Sequence, residues 1–149
     1  MFPLTMTSIC MMNKKSIFVD TGAWYALTDE SDQYHKKAVV TIKKLTAQEC
    51  ILITTNLVIH ETFMLLSRRI SRKTALAFLD EIYNAENVQI FHSDRAIEKD
   101  AYKTIREYSD QDFSIADSVS FTIMRREGLK RAFTFDKHFK VMRFTIEPL

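Results

Sequence analysis

The chain has almost no backbone punctuation: its 149 residues include two glycines, Gly22 and Gly128, and two prolines, Pro3 and Pro148. A Walker loop wraps a phosphate in the amides of a glycine-rich turn, and a dinucleotide fingerprint packs several glycines into one turn. Neither can be assembled here, so any handling of phosphate falls to side chains or to a metal ion. Cysteine is equally scarce. Cys10 and Cys50 lie far apart and form no C-x-x-C pair, which excludes a disulfide framework and a zinc site and predicts reduced thiols. Cys50 leads into an apolar run and is expected in the core. No apolar run reaches the roughly eighteen residues a membrane helix needs. The apolar opening residues have no basic start before them, so a cytoplasmic protein is expected. Charge of one sign is lacking too. Against 21 Lys and Arg stand 19 Asp and Glu, a net charge of +2, so no global field selects a partner and nucleic-acid binding would need a local patch.

What is present is a core. With 46% hydrophobic residues, a chain of this length fits one compact domain. Residues 1–13 hold Met1, Met6, Met11 and Met12, show no period and read as a loose extension; residues 14–149 read as a single domain. Short β-rich runs alternate there with longer stretches of helical period, the signature of a parallel sheet covered by helices on both faces. The strands fall at Ser16 to Asp20, Cys50 to Thr54, Val88 to Phe91, Arg131 to Phe135 and Arg143 to Ile146. Trp24 and Tyr25 sit on a first helix. Tyr34, Ala38, Ile42 and Leu45 recur at helical spacing, Leu57 to Arg69 is apolar nearly all round and is expected to be a buried helix, and Arg72 to Tyr83 follows. Helices from about Asp94 to Tyr108 and from Ser114 to Glu127 complete the set, the latter capped by Gly128. The fold class is α/β, in three layers.

The carboxylates fall at telling places in this scheme. Asp20 closes the run Ile17-Phe18-Val19 and Asp136 follows Phe133-Thr134-Phe135, so both lie just past the carboxyl ends of strands, where open α/β sheets form their ligand crevice. Either also fits a helix N-cap. Glu61, beside His60, interrupts an otherwise apolar helix, and burying its charge is costly unless a cation or donor meets it; an arginine partner or a polar stripe facing water would also explain it. Ser114-Ile115-Ala116-Asp117 matches a capping box, and Asp112 competes with Asp117 for any chemical role; spacing does not separate them. Together the four acids make a hard oxygen site: Mg²⁺ or Mn²⁺ would relieve their mutual repulsion, activate water and stabilise charge on a scissile phosphate.

The motifs around these acids resemble those of a known family. Phe18-Val19-Asp20-Thr21-Gly22-Ala23-Trp24-Tyr25-Ala26-Leu27, followed by Asp32 and His35, is similar to the opening of PIN-domain nucleases, particularly the VapC-type toxins. Thr54-Thr55-Asn56 leading to His60-Glu61-Thr62, the stretch Tyr108 to Ser118, and Phe133 to Phe139 resemble the later motifs in order. The resemblance spans roughly Ile17 to Ile146 and implies a five-stranded parallel sheet. It assigns the catalytic and metal-binding role to Asp20, Glu61, Asp117 and Asp136, takes Thr134 as a polar neighbour, and favours Asp117 over Asp112. It also implies Mg²⁺ or Mn²⁺, endonucleolytic cutting of RNA, a homodimer, and a small antitoxin protein as partner. The leading extension is longer than usual for the family, and the segment after Phe139 lacks the glycine often found there.

Other features carry weaker signals. Arg68, Arg69, Arg72 and Lys73, with Arg125, Arg126, Lys130 and Arg131, could track a phosphate backbone or form a solvated surface. His35, His60, His92 and His138 show no ligand spacing, and His138 reads as packing or capping. Trp24 and Tyr25 could stack on a base but fit the core or a dimer contact better. The competing function is a silent scaffold of the same fold that acts by binding a partner. A phosphatase using Asp20 as nucleophile would need a second acid where this chain has Gly22.

Overall fold

A computed structural model describes residues 15–149; the expected extension over residues 1–13 lies outside them. Five strands, β1 (Ser16–Val19), β2 (Ile51–Thr55), β3 (Val88–Phe91), β4 (Arg131–Phe133) and β5 (Thr145–Glu147), form one sheet in the order β3-β2-β1-β4-β5. Every pairing is parallel. Parallel strands need crossovers, and right-handed ones place the helices on both faces of the sheet. Between β1 and β2 lie α1 (Thr21–Thr28) and α2 (His35–Ala47), and between β2 and β3 lie α3 (Asn56–Arg69) and α4 (Arg72–Asn84). The chain then returns past β1 through α5 (Arg95–Glu107) and α6 (Ile115–Arg126), and the short α7 (His138–Val141) joins β4 to β5.

Burial follows sheet order. Central β1 is buried along its whole length, whereas edge strand β3 is only partly covered. That is why Ile17-Phe18-Val19 reads as a continuous apolar run rather than an alternating one. Phe18, Phe121, Phe133 and Phe139 are fully buried, with Phe121 set edge-on against Phe139 at 5.0 Å between ring centres. Truncating such a ring costs about 3–5 kcal/mol, so this aromatic layer fixes how α6 and α7 sit against β1 and β4. Cys50 is buried, as its apolar setting predicts.

β1 and β2 shift by one residue from the sequence reading, to Val19 and to Ile51–Thr55, and the end of β4 and the start of β5 shift by two. β4 ends at Phe133, not Phe135, because the Thr134 hydroxyl accepts from the Asp136 amide at 2.9 Å and turns the chain out of the sheet. The turn leads into α7, which periodicity cannot reveal in a four-residue helix. Arg143, at φ 66°, then closes a further turn, so β5 starts at Thr145 and not Arg143. A further correction concerns α3. Val58, Ile59, Thr62 and Leu66 are buried, but His60, Glu61 and Met64 face solvent, so this helix is covered on one side only.

The register sets Val19 of β1 beside Phe133 of β4. Asp20 and Thr134 therefore leave the sheet side by side, at the point where chain order reverses and a crevice opens.

Candidate active site

Asp20 stands where a helix N-cap would, but its carboxylate makes no capping bond to α1. Instead Oδ2 accepts from the Thr134 hydroxyl at 3.0 Å, a contact possible only because β1 and β4 are neighbours. The residue is 6% exposed. Burial, then the charges of Asp117 and Asp136, push its pKa up to about 7, against the pull of the Thr21 amide and the Thr134 hydroxyl.

The other three acids arrive on separate elements. Glu61, one turn into α3, is the most open; its Oε2 accepts from the Thr21 hydroxyl at 3.2 Å, which draws it toward the mouth of the crevice. Asp117 completes the capping box of α6: Ser114 Oγ accepts from the Asp117 amide while Asp117 Oδ2 accepts from the Ser114 amide, both at 3.0 Å. Asp136 has its Oδ1 bound by the His138 amide at 2.8 Å. Burial raises both Glu61 and Asp117 above the ordinary carboxylate range, and the charge of Asp136 raises each further. The charge of Asp136 thus reaches the other three acids across a single space. That space is a cleft of about 460 Å³, with all four on its walls.

What the acids lack is a counter-charge. Among the described residues no lysine or arginine forms an ion pair with any of them. Their direct donors are hydroxyls and backbone amides, which orient a carboxylate without neutralising it. The nearest ring is His138, whose Nδ1 lies 3.3 Å from Asp136 Oδ2 and 3.9 Å from Asp117 Oδ2, without hydrogen-bond geometry to either. Asp117, Asp136 and His138 can offer ligand atoms that all lie within 4.8 Å of one another. Unneutralised oxygens converging on a cleft, with an unpartnered buried ring nitrogen at their edge, fit a divalent cation.

The sequence model of the PIN domain matches residues 17–145. The chain belongs to the PIN-domain family. The 23S rRNA-specific endonuclease VapC20 of Mycobacterium tuberculosis is 33% identical over 129 residues, covering 86% of this chain and 95% of that protein. Ribonuclease VapC1 of Aquifex aeolicus is 28% identical over 129 residues, covering 86% of each chain. The crystal structure of M. tuberculosis VapC20, a sarcin-ricin loop cleaving toxin, matches with a TM-score of 0.78 at 32% identity, over 87% of this chain and 96% of that one. FitAcB from Neisseria gonorrhoeae shares the fold, with a TM-score of 0.63 at 14% identity over 87% of this chain and 95% of that one.

In this PIN domain all four acids picked out in the sequence line one cleft, and Thr134 touches one of them directly. Asp112 does not join them: it is exposed and absent from the cleft walls. Asp117 caps α6 through Oδ2, as the capping-box pattern predicts, and also lines the cleft. His138 is the residue that spacing missed. It does pack, edge-on against Phe113 at 5.1 Å, but its ring also meets two acids, and only the turn after β4 brings it there. Of the basic cluster, Arg126 pairs with Asp100 and Arg131 with Glu147, while Arg69 reaches the cleft and lies over the Tyr25 ring at 5.5 Å. Trp24 and Tyr25 are buried, Trp24 donating from Nε1 to Thr54 Oγ1 at 3.3 Å. No helix among the described residues is long and apolar enough to cross a membrane.

Proposed function

We propose that this protein is a metal-dependent endoribonuclease that hydrolyses RNA phosphodiester bonds, and that it is the toxin of a toxin–antitoxin pair. The observation that carries the reading is the set of four acids, Asp20, Glu61, Asp117 and Asp136, converging on one cleft, hydrogen-bonded directly by neutral donors and with the His138 imidazole against two of them. Asp20, Asp117 and Asp136 would hold Mg²⁺ or Mn²⁺, with Glu61 at the rim and His138 against the two outer acids. When bound, the ion supplies Lewis acidity at the phosphate and lowers the pKa of water in its shell.

The chain's own residues supply position. Thr134 fixes Asp20 Oδ2 through its hydroxyl and, by accepting from the Asp136 amide, sets the turn that carries Asp136 to the cleft. The capping box holds Asp117 rigid at the head of α6. Thr21 orients Glu61, whose open position suits it to steer a water toward the cleft's interior. Arg69 and Lys137 on the same walls supply positive charge for flanking phosphates, the local patch that a net charge of +2 leaves necessary. Asp112 is given no role.

Support for RNA as substrate comes from the relatives: VapC20, a 23S rRNA-specific endonuclease, is 33% identical over most of both chains. A structured ribosomal RNA loop is therefore the first substrate to try. The VapC resemblance also supports a homodimer and a small inhibitory antitoxin. The test is incubation of the purified protein, freed of any small co-purifying partner, with structured RNAs and Mn²⁺, beside Asp117→Asn. Cleavage by the wild-type chain alone is expected. Equal cleavage by both would trace the activity to a contaminant, and inertness of the wild type on every RNA would favour the scaffold reading instead.

A further inference from the structure

The cleft is not acidic throughout. Tyr34, which immediately precedes α2, and Phe135, which immediately precedes Asp136, lie on its wall with ring centres 4.4 Å apart and planes within 8° of parallel. In the core, Phe121 and Phe144 stack more loosely, at 6.0 Å and 27°, and the other core pairs are tilted or edge-on. Phe113, Phe121 and Phe139 meet edge-on at 5.0 to 5.1 Å, the packing expected when rings fill an interior. Phe135 is anchored from the core side by Phe133, edge-on at 6.1 Å, and offers a face outward, on which Tyr34 lies flat. Tyr34 is 37% exposed, and its ring is steadied by stacking and by its own amide, which donates to Asp32 Oδ1 at 2.8 Å. Its hydroxyl makes no hydrogen bond to the described residues.

A flat aromatic pair, backed from behind, partly exposed and on the wall of the cleft that holds the acids, has the properties of a base-stacking surface. A stacked base needs a free π-face and gains from a rigid partner, and Phe135 stiffens Tyr34 against tilting. The neighbouring cations suit the strand as well: Arg69 and Lys137 line the same cleft, so the wall joins positive charge to aromatic surface. A base inside an A-form duplex has both faces covered, so the platform can act only on a base already splayed from its helix.

We propose that Tyr34, backed by Phe135, is a stacking platform for an unpaired nucleobase adjacent to the phosphate held at the carboxylates, and that it makes the cleft selective for single-stranded or looped RNA. The proposal rests on the nuclease reading. Its structural rival is that Tyr34 merely ties the α1–α2 segment to the end of β4. The two are separated by binding, measured with Ca²⁺ in place of Mg²⁺, of a short single-stranded oligoribonucleotide, of versions lacking one base at each position in turn, and of the same strand annealed in a duplex.

Wild type and Tyr34→Phe should bind the single strand alike, and the duplex more weakly. Tyr34→Ala should weaken single-strand binding about tenfold. Removal of one particular base should cost the wild type a similar factor and Tyr34→Ala nothing further. Tyr34→Leu keeps an apolar contact on Phe135 without the π-face, and should bind like Tyr34→Ala while melting like the wild type. It keeps the test valid if the alanine variant folds poorly. Binding by Tyr34→Leu equal to wild type, or a base-removal loss that persists undiminished in that variant, would overturn the platform and leave the nuclease reading standing. Failure of the wild type to bind any of the strands would overturn both.

Discussion

Two settings of carboxylates in this molecule, one paired with guanidinium groups and one crowded with other acids, contrast in a way that locates the chemistry. At the β4–β5 edge, Glu147 Oε1 accepts from both Arg131 Nε and Nη2, at 3.2 and 2.9 Å, and on the surface Asp100 pairs with Arg126. Each of those acids has a guanidinium partner on an adjoining element. In the cleft, Asp20, Glu61, Asp117 and Asp136 accept instead from two threonine hydroxyls and the amides of Ser114 and His138. An ion pair removes a charge from the local balance, whereas a neutral donor only aims it. The first setting is a finished structural contact. The second has no such partner, and its electrostatic cost falls on the folded state.

The largest effect should come from converting the cleft's innermost acid to a neutral one. Asp20→Asn keeps the acceptor for Thr134 but removes the charge, and should lower kcat by about a thousandfold or more, the several kcal/mol associated with a metal's role in hydrolysis. The same substitution should stabilise the metal-free protein at pH 8. Activity and stability moving in opposite directions is the mark of a functional charge, and urea unfolding in EDTA alongside single-turnover cleavage would show it. A destabilised Asp20→Asn variant would mean that the carboxylate is structural.

The next effect is pH dependence. Because Asp20 titrates near 7 when folded and near 3.8 otherwise, the folded metal-free protein holds a proton between those values that the unfolded chain has released. Its stability is therefore greatest at low pH within that window and is lost as pH rises through 7. Between pH 5 and 8 the loss should be about 3 kcal/mol, with Glu61 and Asp117 adding to it in the same direction. Mn²⁺ should reverse it at pH 8, by about 2.7 kcal/mol at a hundred times its dissociation constant. Melts in EDTA that are flat across this range would show that the four acids are not crowded as described.

How much of this was legible in the sequence depends on the range over which each feature is determined. Asp20, Asp117 and Asp136 stand out because strand ends and helix starts are local patterns, Glu61 because its charge interrupts an apolar helix, and all four because the motifs around them are shared with a family. Gly128 is legible for the same reason: at φ 67° it closes α6, with its own amide reaching Arg125 and that of Leu129 reaching Met124. His138 and the Tyr34–Phe135 stack are not legible. Tyr34 meets Phe135 only because β1 and β4 are neighbours in the sheet, and no spacing along the chain encodes a contact across that distance. Asp112 shows the converse, a plausible local candidate that the fold leaves outside the cleft. The open side of α3 was hidden because His60 and Glu61 are too few to break an apolar pattern.

The smallest effect is also the control for the comparison. Glu147→Gln removes one charge from the partly buried pair with Arg131 but leaves a hydrogen-bond acceptor, so it should destabilise the protein by about 1 kcal/mol at neutral pH. Cleavage should be unchanged, because the pair lies outside the cleft and touches none of its acids. Added Mn²⁺ should raise the melting temperature of this variant as much as that of the wild type, whereas Asp20→Asn should lose most of that response. The sign is what matters. Neutralising Glu147 uncovers a guanidinium and weakens the fold, while neutralising Asp20 relieves a crowd and strengthens the metal-free protein. If both substitutions shifted stability in the same direction in EDTA at pH 8, the two kinds of carboxylate would be physically alike, and the case for a cation in the cleft would lose its electrostatic basis.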